Sequence, residues 1–141
     1  KRVSPKIFIK FMKLCTIKYD CRFFLATGKK EEEQEILNEI LQSEFHNRCV
    51  ALDKLDIIDI LPVLKNCKIS VCNDSSFSHL SAAVDIPTIV LMADTPMLYG
   101  SYSPNMHPII PDGESSVTHD TLGKDKINPD KIFKKFKEIL V

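Results

Sequence analysis

Between Ser70 and Met92 the chain reads SVCNDSSFSHLSAAVDIPTIVLM. Two apolar, strand-like runs are joined there by Asn73, Asp74, Ser75 and Ser76, and His79 follows at helical spacing. A strand-to-helix connection needs only a cap and a turn. An acid, two hydroxyls and an imidazole supply more polar chemistry than that. A helix beginning near Ser75 or Ser76 leaves its first backbone N–H groups unpaired, and these together with the helix dipole form an anion site suited to a phosphate. Ser75 and Ser76 add hydroxyl donors. His79, about one turn in, points back toward the helix start and can donate to a phosphate oxygen, with Asp74 as the cap. The plainer alternative is a capped helix with a half-buried histidine. The coincidence of all these groups at the end of one strand favours an anionic ligand.

Two further strand ends carry polar groups. ATGKKEEE, residues 26–33, places Thr27 and Gly28 where a strand turns into a helix, but it lacks the spacings of a P-loop or a dinucleotide fingerprint. Its plain reading is a solvated helix start. MADTPMLYGSYSP, residues 92–104, offers Asp94, Thr95, Tyr99 and Tyr102 to the same crevice.

The elements that must position these groups follow from periodicity. Ile7, Phe8, Phe11, Met12 and Cys15 recur on one face of a helix over 5–16, with Ser4 as cap and Pro5 at the first helical position. RFFLA at 22–26 reads as a short strand, and 31–43 as a helix that buries Ile36, Leu37, Ile40 and Leu41 behind an acidic first turn. RCVAL at 48–52 is the next strand. A helix over 56–64 then turns Ile57, Ile58, Leu61 and Leu64 inward, and Pro62 makes it short or bent. Strands at 68–72 and 88–92 flank a helix at 76–84. The long segment 93–123 holds one strand candidate, HPII, and Asn128, Pro129 and Asp130 open a last helix striped by Ile132, Phe133, Phe136, Ile139 and Leu140. Alternating strands and helices imply a Rossmann-like α/β fold, a parallel sheet with helices on both faces. Ligands in such sheets bind at the carboxyl ends of the strands, which is where SVCNDSS lies.

Composition narrows the partners. The 141 residues suit one domain, and 19 basic residues against 19 acidic ones leave no electrostatic footprint for nucleic acid. No apolar run reaches the roughly 20 residues of a membrane span. Five cysteines, with no C-x-x-C pair and no zinc-like histidine spacing, argue against a metal and fit a reducing cytoplasm. No cofactor is expected.

The run NDSSFSHLSAAVDIPTIVLM resembles the recurrent segment of the family 9 glycosyltransferases, the ADP-heptose:lipopolysaccharide heptosyltransferases. That segment leads from a strand into Asp, Ser or Thr, usually Gly, two variable residues, His, Leu and small residues, and closes with a proline before the next strand. KRVSPKIFIKFMKL is similar to the family's interdomain segment, FLATGKKEEEQEIL to its first strand-turn-helix and YGSYSP to the loop after the motif strand. Ser76 stands where glycine is usual, and Val3 where tryptophan is frequent.

The resemblance implies one half of a GT-B fold: residues 1–141 as a single nucleotide-sugar-binding domain, without the amino-terminal acceptor domain that carries the catalytic base. It implies donor contacts from Asp74, Ser75, Ser76 and His79, with Thr27, Gly28, Asp94 and Thr95 at the neighbouring strand ends. His79 would stabilise the leaving group. Lys1 matches a basic residue, and an acid among Glu31, Glu32 and Glu33, with Glu32 in the middle, matches a nucleoside contact. The implied reaction is inverting, metal-independent transfer of a heptose-like sugar from a nucleotide-diphosphate sugar, with ADP favoured, to a lipopolysaccharide core or related acceptor. The full-length protein would work in the cytoplasm at the inner face of the bacterial inner membrane, and the domain alone would be inactive. Two rivals remain: a non-catalytic nucleotide-binding module, and a UDP-sugar GT-B-like enzyme such as a 2-epimerase.

Overall fold

A computed structural model describes residues 2–141, and Lys1 lies outside the described residues. Helix α1, Pro5–Lys18, starts where Ser4 Oγ accepts the Lys6 N–H at 3.3 Å, and it buries Ile7, Phe11, Met12 and Cys15 on one face. Strand β1 is Phe23–Leu25, helix α2 Glu31–Leu41 and strand β2 Cys49–Ala51. Helix α3, Ile57–Lys65, leads to strand β3, Ser70–Asn73, then helix α4, Ser76–Ala83, and strand β4, Thr88–Leu91. Strand β5, Met106–Ile109, and helix α5, Pro129–Leu140, complete the order.

All strand pairs are parallel, as the alternating pattern predicts, but they form two ladders. β1 pairs with β2, placing Phe24 opposite Val50, while β3, β4 and β5 form a second ladder with Cys72 opposite Val90 and Val90 opposite Pro108. β4 is the buried centre. Its side chains alternate between faces: Ile89 and Leu91 join α1 and α5 in the main core, whereas Val90 and the following Met92 meet Ala82 of α4, Met106 and Val117. Helices therefore cover both faces of β4. Phe23, Leu25, Cys49 and Val71 also pack against the main core, so one apolar interior serves both ladders.

α3 departs from the sequence-based expectation. Ile57 is 55% exposed and Ile58 80% exposed, while Ile60 and Leu64 are buried. Ile60 and Leu64 are four residues apart and share a face, from which Ile58 is rotated by more than half a turn, so it cannot point inward with them. The helix is short, nine residues, and runs through Pro62 without ending there.

α5 is capped by Asn128, whose Oδ1 accepts the Asp130 N–H at 2.9 Å. It lies on α1, where the Phe11 and Phe136 rings meet edge to face at 5.5 Å. The five cysteines are all free. Burial pushes the Cys15 and Cys72 thiols up to about 12, so both remain uncharged, small apolar residues. Among the described residues, no helix is long and apolar enough to cross a membrane.

Candidate functional site

The site is built where β3 ends and α4 begins. Ser75, in extended backbone at φ −154°, is the residue that caps α4, which corrects the expectation that Asp74 would do so. Both residue types cap well, and a third serine decides between them. Ser78, fully buried, receives the Ser75 N–H at 3.3 Å and donates its hydroxyl to the Ser75 carbonyl at 2.7 Å. At its far end α4 closes with Asp85 in the left-handed region, φ 64°, with the Ile86 N–H reaching the Ser81 carbonyl at 3.0 Å. The helix is thus fixed at both ends, and its free N–H groups face the carboxyl end of β3.

Release from capping leaves Asp74 for another role. Its carboxylate lies 3.7 Å from His79 Nε2, with the imidazole 43% exposed and the acid 16% exposed. The other ring nitrogen, Nδ1, lies 2.5 Å from the Tyr102 hydroxyl, and the two rings stack at 5.6 Å with 13° between their planes. The structure therefore joins Asp74, His79 and Tyr102 in one chain of contacts. Ser76 is exposed at the first position of α4. Beside it, Ile57, Phe77 and Leu80 line an apolar recess of about 150 Å³ that Ser76 borders.

The second strand end is organised differently. Gly28 does not adopt a positive φ, so no left-handed turn explains it; a Cβ there would lie 1.8 Å from Glu33 Oε2. Its use is close approach. Glu33 accepts from Arg2 at 2.8 Å and from the Lys30 N–H at 3.3 Å, which commits this acid to structure. Glu32 remains 70% exposed, 4.0 Å from Arg2, in an open groove with Lys30, Glu31 and Glu35. The Val3 N–H donates to Asn73 Oδ1 at 3.0 Å. Because Arg2 and Val3 are adjacent, one short segment ties the start of α2 to the end of β3 and sets the two strand ends side by side. Tyr102 lies in the crevice to which residues 92–104 offer it, and its pairing with His79 is what the folded chain adds; nothing in the sequence marks Arg2.

At the third strand end Asp94 and Thr95 are buried, 8% and 5% exposed. Thr95 Oγ1, like Thr27 Oγ1 at the end of β1, is buried with no hydrogen-bond partner among the described residues. An orphaned hydroxyl costs about 1–3 kcal/mol. Thr95→Val, which keeps the shape and removes the hydroxyl, is therefore expected to leave urea stability unchanged or to raise it. A loss above roughly 1 kcal/mol would show that the hydroxyl has a partner in solution.

Comparison with known proteins places this geometry. The model of glycosyltransferase family 9 (heptosyltransferase) matches residues 10–120, which include the whole β3–α4 site and the Tyr102 loop. The chain belongs to this family. Lipooligosaccharide heptosyltransferase 2 of Haemophilus influenzae is 32% identical over 88 residues, 62% of this chain and 23% of that protein. The solved structure of E. coli heptosyltransferase WaaC with ADP matches 96% of this chain and 39% of its own, at a TM-score of 0.76 and 20% identity. The latter likeness bears on the fold, the α/β half of a GT-B heptosyltransferase. The family 9 chain spans under half the length of either relative.

Proposed function

We propose that this family 9 chain is the donor-binding half of a two-domain glycosyltransferase, one that moves a heptose-like sugar from a nucleoside-diphosphate sugar to a lipopolysaccharide core or related acceptor. The observation that carries the reading is the pairing of α4's free N–H groups with His79 at the carboxyl end of β3, inside the segment matched by the family model. A diphosphate at that helix end meets backbone donors, the exposed Ser76 hydroxyl and an imidazole that can carry a proton. The apolar recess of Ile57, Phe77 and Leu80 borders Ser76 and offers a flat nucleobase an apolar face. ADP is the favoured nucleotide, supported by the likeness to a heptosyltransferase solved with ADP.

The mechanism is inverting displacement without a required metal. Charge develops on the departing nucleoside diphosphate as the bond to the sugar breaks, and α4's amide groups and His79 stabilise it. In this reading the β3–α4 site binds the donor and stabilises the leaving group, while a base in the acceptor half of the enzyme takes the acceptor proton.

Titrating the chain with ADP, UDP and their sugar conjugates, followed by amide chemical shifts, tests the reading. Shifts centred on residues 74–79 with ADP preferred are the expected result. A UDP preference would point to a different sugar-nucleotide enzyme, and no perturbation of 74–79 at millimolar nucleotide would overturn the assignment of this segment in the chain.

A further inference from the structure

The geometry points to Tyr102 as a positioning residue that orients His79 for the donor phosphate, an inference that rests on the proposed role of His79. A neutral imidazole has one nitrogen that donates and one that accepts. The Asp74 carboxylate, 3.7 Å from Nε2, favours the proton on that nitrogen. Nδ1 then presents a lone pair, and the Tyr102 hydroxyl at 2.5 Å donates to it. The stacked phenol ring restrains the imidazole plane as well. Tyr102 thereby holds the proton on Nε2, which at 3.7 Å is beyond hydrogen-bond reach of Asp74 and stays available as a donor beside the start of α4, where Asp74 immediately precedes the Ser75 cap.

Tyr102 can do this only if its loop is itself held. Three anchors do so. Gly100 lies against β4 so closely that a Cβ would sit 2.5 Å from Met92 Sδ and 3.1 Å from Val90 Cγ1. Asn105 Nδ2 donates to the Ala82 carbonyl at 3.1 Å and to Asp85 Oδ1 at 3.3 Å, which ties the loop to the end of α4. Ser101 Oγ donates to the Met97 carbonyl at 2.8 Å. Tyr102 is bracketed by these contacts, yet it is 56% exposed and adds little to the core. An exposed tyrosine on a fixed loop, spent on one imidazole, is arranged for orientation rather than for packing.

Tyr102→Phe keeps the stacked ring and removes the hydroxyl, so it isolates the proposed contact. Two readouts on the 141-residue chain test it: the 15N resonances of the His79 ring, and ADP affinity in a cycle with His79→Ala. The expected result is a shifted Nδ1 resonance in Y102F, an ADP affinity weaker by about 3-fold to 10-fold, and no further loss when Y102F is added to H79A. If Y102F leaves both the resonance and the affinity unchanged while H79A weakens binding, the positioning role is wrong and the reading of His79 stands. An equal loss from Y102F in the H79A background would also overturn it, since Tyr102 would then act on the nucleotide directly. If H79A itself leaves ADP affinity unchanged, the reading of His79 fails and the role of Tyr102 fails with it.

Discussion

Replacing His79 with alanine is expected to weaken ADP binding about 10-fold to 100-fold, the size of one lost charge-assisted hydrogen bond. Two effects add. The phosphate loses a donor, and the Asp74 carboxylate, 3.7 Å from Nε2 in the native chain, is left facing the incoming diphosphate without its imidazole neighbour. Adding Asp74→Asn to H79A removes that repulsion and should recover part of the affinity. Stability should barely change. The imidazole is 43% exposed, and α4 is held by buried Ser78, Ser81 and Ala82 and by its two capped ends. The stack with Tyr102, the hydrogen bond at Nδ1 and the Asp74 contact are forfeited, and because all three lie at a solvent-exposed imidazole they cost together about 1 kcal/mol. Urea unfolding and an ADP titration on the same variant decide the matter. A large fall in stability with unchanged affinity would make His79 a structural residue and leave the anion site to the helix end alone.

How far the site was legible depends on which contacts are local. α1, α4 and α5 carry caps and apolar stripes within a few residues of one another, so their positions follow from the sequence, and Ser4 and Asn128 cap as their types and places suggest. The choice between Asp74 and Ser75 does not follow, because either residue type caps a helix; the deciding contact is the return of Ser78 to Ser75. α3 misleads for a related reason. Ile57, Ile58, Leu61 and Leu64 look like one stripe in a short apolar run, but the buried face runs through Ile60, and Ile57 instead borders the recess beside Ser76. Contacts across long separations leave no periodic signal. Arg2 meets Glu33 across 31 positions and Tyr102 meets His79 across 23, separations at which no local pattern in the sequence pairs the residues. Sequence therefore identifies the strand ends where the polar groups gather, Tyr102 among them, while which of those groups pair with one another emerges only from the folded chain.

Ile132→Ala is expected to be the most destabilising single change considered, at about 2–5 kcal/mol. α5 begins at Pro129, beyond the residues 10–120 matched by the family model, where a peripheral tail would be expected. Its packing says otherwise. Ile132 is fully buried in the same cluster as Ile89 and Leu91 of β4 and Phe11 and Met12 of α1, so truncating it opens a cavity where the central strand meets two helices. The neighbours cannot close that gap cheaply. β4 is buried on both faces, and α1 is already fixed against α5 by the Phe11–Phe136 edge contact. For a domain whose total stability is of order 5–15 kcal/mol, a loss of that size removes much of the margin. Lys134→Ala, on the exposed side of the same helix, should change stability by no more than about 0.5 kcal/mol. Urea midpoints for the two variants separate the possibilities. If I132A costs less than about 1 kcal/mol, α5 does not unfold cooperatively with β4, and the core that carries the strand ends must be closed by α1 and α2 alone.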